Sequence, residues 1–321
     1  MLISPAAVSV TDRAPWRDGA APTVATITVT FHPDLAVLRS QLEKLPGDIL
    51  KLIVDNASGP ETIAALRQLA ASTPRAYLIE NTFNRGLPAA LNLGARSARA
   101  LCNVSYLLFL DQDTEAPEGS VYALVRAYEQ LRAAGVNPGC VGPRLLDPAT
   151  RLEHGFHQIA GWRWIRHYPP ADSHDPVSCS NLNCSGTLVA QDTFENLGGF
   201  DESLFLDHLD TEWSFRVLAA GYRLYGIPSV RFVHRMGDAS FRFWLLRWRL
   251  WPYRAPRRHY YLFRNAICLM RKPYVPLVWK GWAALKLVVT AGIHLIFDSQ
   301  RHEQLAAMIR GVRDGCRGTS S

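Results

Sequence analysis

The sequence predicts an α/β fold: a doubly wound, Rossmann-like sheet flanked by helices, followed by a C-terminal helical extension. Three observations predict it. Short β-branched or apolar runs alternate with helix-patterned segments from Val24 to Asp111, the pitch of βαβ units and a parallel sheet. Polar residues (Thr30, Asp55, Asn81, Asp111) fall just past strand ends, where such sheets place a binding cleft. From Phe241 onward the chain reads as helical, with no second core of domain size.

Each element follows in order. Val24–Thr30 is β-branched and bounded by Pro22 and Pro33, a buried first strand. Leu35–Leu45 has helical spacing, and Asp48–Asp55 is a second strand ending in the turn Asn56-Ala57-Ser58-Gly59-Pro60. Glu61–Ala71 is a helix, Ala76–Glu80 a short strand, Gly86–Ala100 a helix of small residues, and Val104–Leu110 an apolar strand running into Asp111. Beyond residue 140 the pattern loosens. Cys140–Pro143 and Ser185–Ala190 read as strands, while Arg151–Ser180 reads as a loop rich in His and Trp. Gln191–Leu197 is a short helix, Asp210–Ala220 a helix stopped by Gly221, and Tyr222–Pro228 and Val230–Val233 are strands leading to His234. The organisation expected is a loosely attached leader (residues 1–22), an α/β domain (23–238) and a basic, aromatic, helical region (239–321).

Composition narrows the classes. The chain has 321 residues, 48% of them hydrophobic, enough for one large core of about 220–250 residues plus an appendage. Disorder is excluded as the main state. The net charge is +7, from 35 Lys and Arg against 28 Asp and Glu. The excess is concentrated: Arg235–Lys272 holds ten Lys or Arg and one acid, Asp238, which implies an anionic partner. Nucleic acid is not that partner, because no nucleic-acid-binding module accompanies the block. The six cysteines form no CxxC pair and read as reduced structural thiols of a cytoplasmic protein. The first 21 residues are Pro- and Ala-rich, carry four charges and lack the apolar stretch of a secretory signal.

Four constellations carry chemistry. Asp111-Gln112-Asp113 follows an apolar strand, and two carboxylates there can share a hard divalent cation, Mg²⁺ or Mn²⁺, with substrate phosphates. Alone such a triplet is common; the strand before it and the βαβ units upstream make it a metal-site candidate. Asp55, at a strand end, can accept a hydrogen bond from the imide N–H of a uracil or thymine. Asn84-Arg85-Gly86 offers a cation and helix N-terminal amides to an anion. The acidic run Asp207-His208-Leu209-Asp210-Thr211-Glu212 opens a helix and offers a general base. Asp210 and Glu212 point to different helix faces, so one of them faces the substrate. His234 closes a strand and could complete a metal site, although nothing but the resemblance below singles it out among ten histidines.

These segments, with Val29-Thr30-Phe31-His32-Pro33, Leu87–Gly94, Gly198-Gly199-Phe200-Asp201, His234–Asp238 and Arg258–Asn265, occur in an order that resembles family 2 glycosyltransferases of GT-A fold. The resemblance covers residues 23 to 315 and is closest to bacterial rhamnosyltransferases that build O-antigen and related polysaccharides. It implies Thr30, His32 and Asp55, with Phe31, Asn56, Gly86 and Gln112, around the nucleotide, and Arg85 and Asn92 near the donor. It implies Asp111 at the ribose or metal, Asp113 and His234 as metal ligands, and Asp210 as the catalytic base. Gly199 falls in the acceptor loop, and Trp213 and Arg216, also on the acceptor side, flank the base. Many relatives carry Glu-Asp in the base motif where this chain has Leu209-Asp210, so Asp207 and Glu212 stand as reserve bases. The implied reaction is inverting transfer of L-rhamnose from dTDP-β-L-rhamnose to a saccharide on a polyprenyl diphosphate. The alternatives are a UDP- or GDP-linked donor, or a non-catalytic sugar-nucleotide-binding protein.

A nucleotidyltransferase would need a Gly-rich basic loop after the first strand, which Thr30-Phe31-His32-Pro33-Asp34 is not. Phe241–Arg254 mixes cations with aromatics, the composition of a segment that lies at a membrane interface and suits an enzyme peripheral to the inner face of the plasma membrane. Val275–Phe297 is apolar but carries Lys280, Lys286 and His294, which favours a buried or interface-lying helix over a spanning one.

Overall fold

The computed structural model describes residues 23–148, 150–170, 172–235, 240–245, 247–252 and 254–318. The expected leader and Met236–Asp238 lie outside them. The chain order is β1 (Val24–Thr30), α1 (Leu35–Lys44), β2 (Leu50–Asp55), α2 (Pro60–Ser72), β3 (Ala76–Glu80), α3 (Leu87–Leu101), β4 (Tyr106–Asp111), β5 (Thr114–Glu115), α4 (Ser120–Ala133), β6 (Pro138–Leu146), β7 (Glu153–His154), β8 (Phe156–Ala160), β9 (Arg163–His167) and β10 (Val177–Cys179). It continues with β11 (Leu188–Ala190), α5 (Gln191–Asn196), a 3-10 turn (Glu202–Leu204), α6 (Leu209–Ala219), β12 (Arg223–His234), β13 (Ser240–Leu245), β14 (Arg247–Pro252), α7 (Pro256–Arg271), α8 (Leu277–Phe297) and α9 (Arg301–Arg317).

The main sheet runs β10-β12-β6-β11-β4-β1-β2-β3. The half β4-β1-β2-β3 is parallel, as the alternating pattern predicts. β11 enters antiparallel between β4 and β6, which makes the sheet mixed. β1 and β2 are buried along their whole length, as strands covered on both faces must be. The period of two divides their side chains between two cores. Ile27, Leu52, Val54 and Phe109 face α3 and α6, while Ile53, Leu108 and Leu110 face α1, α2 and α4. Leu269, Val275, Trp279 and Ala283 join the first of these cores, so α7 and α8 are built onto the catalytic sheet.

Three expectations are corrected. The stretch read as two strands before His234 is one, β12; it shifts register between Ile227 and Arg231, around Pro228, which has no N–H to give the ladder. The loop expected over Arg151–Ser180 contains β7, the hairpin β8–β9 and β10. Its aromatics are structural: Trp164 stacks on His157 (5.1 Å) and approaches Phe215 (6.1 Å) and Trp282 (6.0 Å). The segment after Phe241 opens as a β-hairpin, with Ser240 opposite Pro252 and Leu245 opposite Arg247, before the helices begin. Its sequence alternates Arg with aromatic or aliphatic residues at Arg247–Leu250, a period of two that outranks the basic, aromatic composition.

Candidate active site

The carboxyl ends of β1, β2 and β4 form the floor of the cleft. Thr30 pairs with Asp55, and Val29 with Asp111, so the register sets all three strand ends level. Asp111 closes β4 and the chain turns at once, through Gln112 and Asp113, into β5. β5 pairs with the end of β12, so Thr114 stands opposite His234. Residues 120 positions apart in sequence are joined by one short ladder.

Asp111, Asp113 and His234 then converge, with one ligand atom from each lying within 4.8 Å of the others. His234 Nδ1 is 3.6 Å from Asp113, and Nε2 is 3.9 Å from Asp111. Thr114 Oγ1 meets Nδ1 at 2.7 Å and Ser185 Oγ at 2.6 Å, and Ser185 Oγ accepts the Asp111 amide at 2.9 Å. In the tautomer whose Nδ1–H donates to Thr114, Nε2 offers its lone pair to the cleft, the orientation that a buried partner gives a metal-binding histidine. Two carboxylates and an imidazole fit Mg²⁺ or Mn²⁺ with positions left for substrate oxygens. Burial raises the Asp111 pKa against the pull of the neighbouring His234. A cation there would compensate the charge that burial penalises.

The residues expected around the nucleotide divide into lining and scaffold. Gln112 accepts from Phe31 N (2.9 Å) and so fixes the loop after β1. Phe31 is exposed, its ring 4.4 Å from that of His32, which holds a left-handed φ of 49°. Asp55 is fully buried and bound inward: Thr30 Oγ1 (3.0 Å), Ser58 Oγ (2.5 Å) and Ser58 N (2.9 Å) all donate to it. Asn56 accepts from Asn81 and from Arg85 N and donates to Asn84, which shapes the turn into α3. Gly86, at φ 84°, is required there: a Cβ would meet Phe205 O at 2.7 Å.

Asn92 departs from expectation. It is buried, its Nδ2 donates to Phe200 O and Glu202 Oε1 (2.9 Å each), and its Oδ1 accepts from Phe200 N (2.9 Å). It holds the Gly199 loop rather than facing a donor. Trp213 departs likewise. It is 3% exposed, lies between Phe194 and Phe200, and donates to Cys140 Sγ. Arg216 reaches the Gly199 loop from behind, donating to Gly199 O (2.6 Å) and Leu197 O.

The same arginine settles Glu212, one of the reserve bases. Glu212 is 1% exposed, accepts from Arg216 at 2.9 and 2.8 Å, and takes the Tyr274 hydroxyl at 2.5 Å. It points into the protein and ties α6 to the Gly199 loop and the turn between α7 and α8. Asp207 is paired with Arg258 at 3.2 Å. Asp210 differs from both. Its Oδ1 accepts from Thr211 N (2.7 Å), and no hydrogen bond engages Oδ2 among the described residues. Burial pushes its pKa up to about 6; the Thr211 amide opposes the shift, and Asp207 and Asp111 reinforce it. A carboxylate poised there is a competent base near neutral pH.

The loop leading to Asp210 is strained. Phe205, Asp207 and His208 all hold positive φ (59°, 59° and 62°), a conformation that L-residues keep only when their surroundings impose it. One face of α7 imposes it here. Arg258 pairs with Asp207, Tyr261 stacks on Phe205 (4.8 Å), and Asn265 Nδ2 donates to Leu204 O (2.7 Å), Leu206 O (2.6 Å) and Asp207 O (3.1 Å). Sequence reading placed Arg258–Asn265 in a pattern but gave these residues no role. Their spacing of three and four, one helical face, was the available signal.

A mixed Rossmann-like sheet with Asp-x-Asp and a histidine at its strand ends, and a partly buried carboxylate on the facing helix, defines a glycosyltransferase of GT-A fold. Residues 35–197 match the family described as glycosyl transferase family 2, and the chain belongs to that family. It is 29% identical to a dTDP-rhamnosyl transferase, RfbF, of Shigella flexneri, over 92% of this chain and 96% of that protein. It is 25% identical to an N-acetylglucosaminyl-diphospho-decaprenol L-rhamnosyltransferase of Mycobacterium tuberculosis, over 67% of this chain and 77% of that one. Its fold is similar to that of a mannosyltransferase from Pyrobaculum calidifontis solved with GDP-Man and Mn²⁺. The TM-score is 0.56 at 18% identity, over 94% of this chain and 89% of the other.

Proposed function

We propose that this glycosyltransferase moves L-rhamnose from dTDP-β-L-rhamnose, with inversion, to a hydroxyl of a lipid-linked saccharide, at the cytoplasmic face of a bacterial membrane. The similarity to the Shigella flexneri dTDP-rhamnosyl transferase across nearly the whole of both chains carries the choice of donor. The mycobacterial relative's diphospho-decaprenol acceptor supports the lipid link.

In this reading Asp111, Asp113 and His234 hold a divalent cation, which offsets the charge developing on the departing nucleoside diphosphate. Phe31, His32 and the Arg85–Gly86 turn line the nucleotide side, with the Thr30–Asp55–Ser58 network setting their frame. The Gly199 loop borders the acceptor. Asp210 Oδ2 takes the proton of the attacking hydroxyl as its oxygen reaches the anomeric carbon from the face opposite the leaving group, which gives an α-linked product.

A panel of dTDP-, UDP- and GDP-sugars, each incubated with Mn²⁺ and read by release of nucleoside diphosphate, tests this. dTDP-rhamnose should be turned over fastest. Preference for a UDP- or GDP-sugar would keep the family and refute the donor, and turnover of none would favour a non-catalytic binding protein.

A further inference from the structure

α8 is amphipathic in the inverse sense: its apolar face looks outward. Leu277, Leu285, Val288 and Ile296 are 74, 63, 71 and 67% exposed, and Val289 and Leu295 are exposed beside them. At 100° per residue these six fall within an arc of about 140°. The other positions in that arc are Val278, Gly281, Ala284 and Gly292, and no charge interrupts it. Monomeric soluble proteins rarely leave so continuous an apolar stripe in water. The opposite face is anchored. Trp279 is buried against Phe215 and His208 (5.7 Å each), and Ala283, Leu287 and Ile293 are buried with it. By length and composition α8 could cross a bilayer, but a helix whose inner face belongs to the protein core can only lie along one.

The charges beside the stripe select the partner. α8 carries Lys280 and Lys286 and no acid. α9, packed on α8, exposes Arg301, Arg310, Arg313 and Arg317 with Ile309 and Val312, against two acids, the exposed Glu303 and the half-buried Asp314, which pairs with Arg313. The hairpin β8–β9, which touches α8 through Trp164 and Trp282, carries Arg163, Arg166 and, at its turn, the exposed Trp162. A second copy of the chain would bring this basic rim against its like. An anionic lipid surface complements it, and an exposed tryptophan suits the headgroup layer.

We infer that the outer face of α8 lies in the interfacial layer of an anionic bilayer, with the α9 arginines on the headgroups, and that this face docks the catalytic domain on the membrane. The inference deepens the lipid-linked reading above. Through Trp279 and His208 the inner face of the docked helix touches the loop that leads to Asp210, so docking would hold that loop about one helix diameter from the lipid surface.

The test is flotation of the full chain with phosphatidylglycerol-containing vesicles and with phosphatidylcholine vesicles. The wild type is compared with a variant carrying Leu285→Glu, Val288→Glu and Ile296→Glu, and light scattering reports the mass of each. The wild type should float with the anionic vesicles, and the variant should bind them at least about a hundredfold more weakly. Both should be monomers with equal release of nucleoside diphosphate in solution, which also shows that the variant folds. A wild type that stays at the bottom of the gradient, or a variant that floats equally well, overturns the inference. So does a wild-type dimer that the variant converts to monomer, which would assign the face to a second copy. Flotation needs no donor and the donor panel needs no vesicle, so the two readings fail separately.

Discussion

Asn265→Ala removes the clamp that α7 places on the loop before Asp210. The amide has two hydrogens for three carbonyls, Leu204 O, Leu206 O and Asp207 O, so one hydrogen is shared. The two amide hydrogens contribute about 1 kcal/mol net each, and Leu206 O and Asp207 O, left without this donor while Leu204 O keeps the Leu206 amide, add at least about 1 kcal/mol each, so the clamp holds the loop by roughly 4 kcal/mol or more. Against it stands the strain of three left-handed residues at about 1–3 kcal/mol each, roughly 3–9 kcal/mol in all. With the clamp gone the strain can relax, and Asp210 shifts with the loop. A displacement of about 1 Å at a reacting group costs about a hundredfold in rate. The expected result is a kcat about a hundredfold lower, a donor Kd within about twofold of wild type, and a Tm lower by several degrees. The assay is nucleoside diphosphate release across donor concentrations, beside calorimetric donor binding. A kcat within about threefold of wild type would refute the reasoning, because the loop would then hold its geometry without Asn265.

Three further outcomes follow from the site. His234→Ala, or chelation of the wild type by EDTA, should cut turnover by at least about a hundredfold, and added Mn²⁺ should restore the chelated wild type but not the variant. The pH profile of kcat should fall on the acid side with a midpoint near pH 6, because Asp210 must be ionised to accept a proton and burial raises its pKa to about 6; activity held flat to pH 4.5 would contradict that role. Glu212→Ala leaves Arg216 partly buried without its carboxylate and should destabilise the fold by about 3–5 kcal/mol in thermal or denaturant unfolding. A fully stable but inactive Glu212→Ala would return Glu212 to candidacy as the base.

The parallel half of the sheet was legible because local pattern determines it. β1 to β4 are apolar runs bounded by turns, and their strand ends place Thr30, Asp55 and Asp111 without reference to distant residues. The Asp111–Asp113–His234 cluster was legible only as an ordered set, since His234 reaches Asp111 and Asp113 through the β5–β12 ladder, which no local period announces. The roles of Asn92, Trp213 and Glu212 were not legible. Each lies in a segment of the right pattern, but its direction depends on which partner, Phe200, Cys140 or Arg216, the tertiary fold supplies. The β13–β14 hairpin was hidden by composition: cations and aromatics suit an interfacial helix and a strand equally, and only the alternation distinguishes them.

The central claim is a metal-assisted transfer in which Asp210 accepts the proton. Asp210→Asn keeps the shape of the side chain and removes its basicity. With dTDP-rhamnose, Mn²⁺ and a rhamnose-accepting saccharide lipid, it should lower turnover by about 10²–10⁴-fold while calorimetry shows donor affinity within about twofold of wild type. Turnover at the wild-type rate would contradict the account.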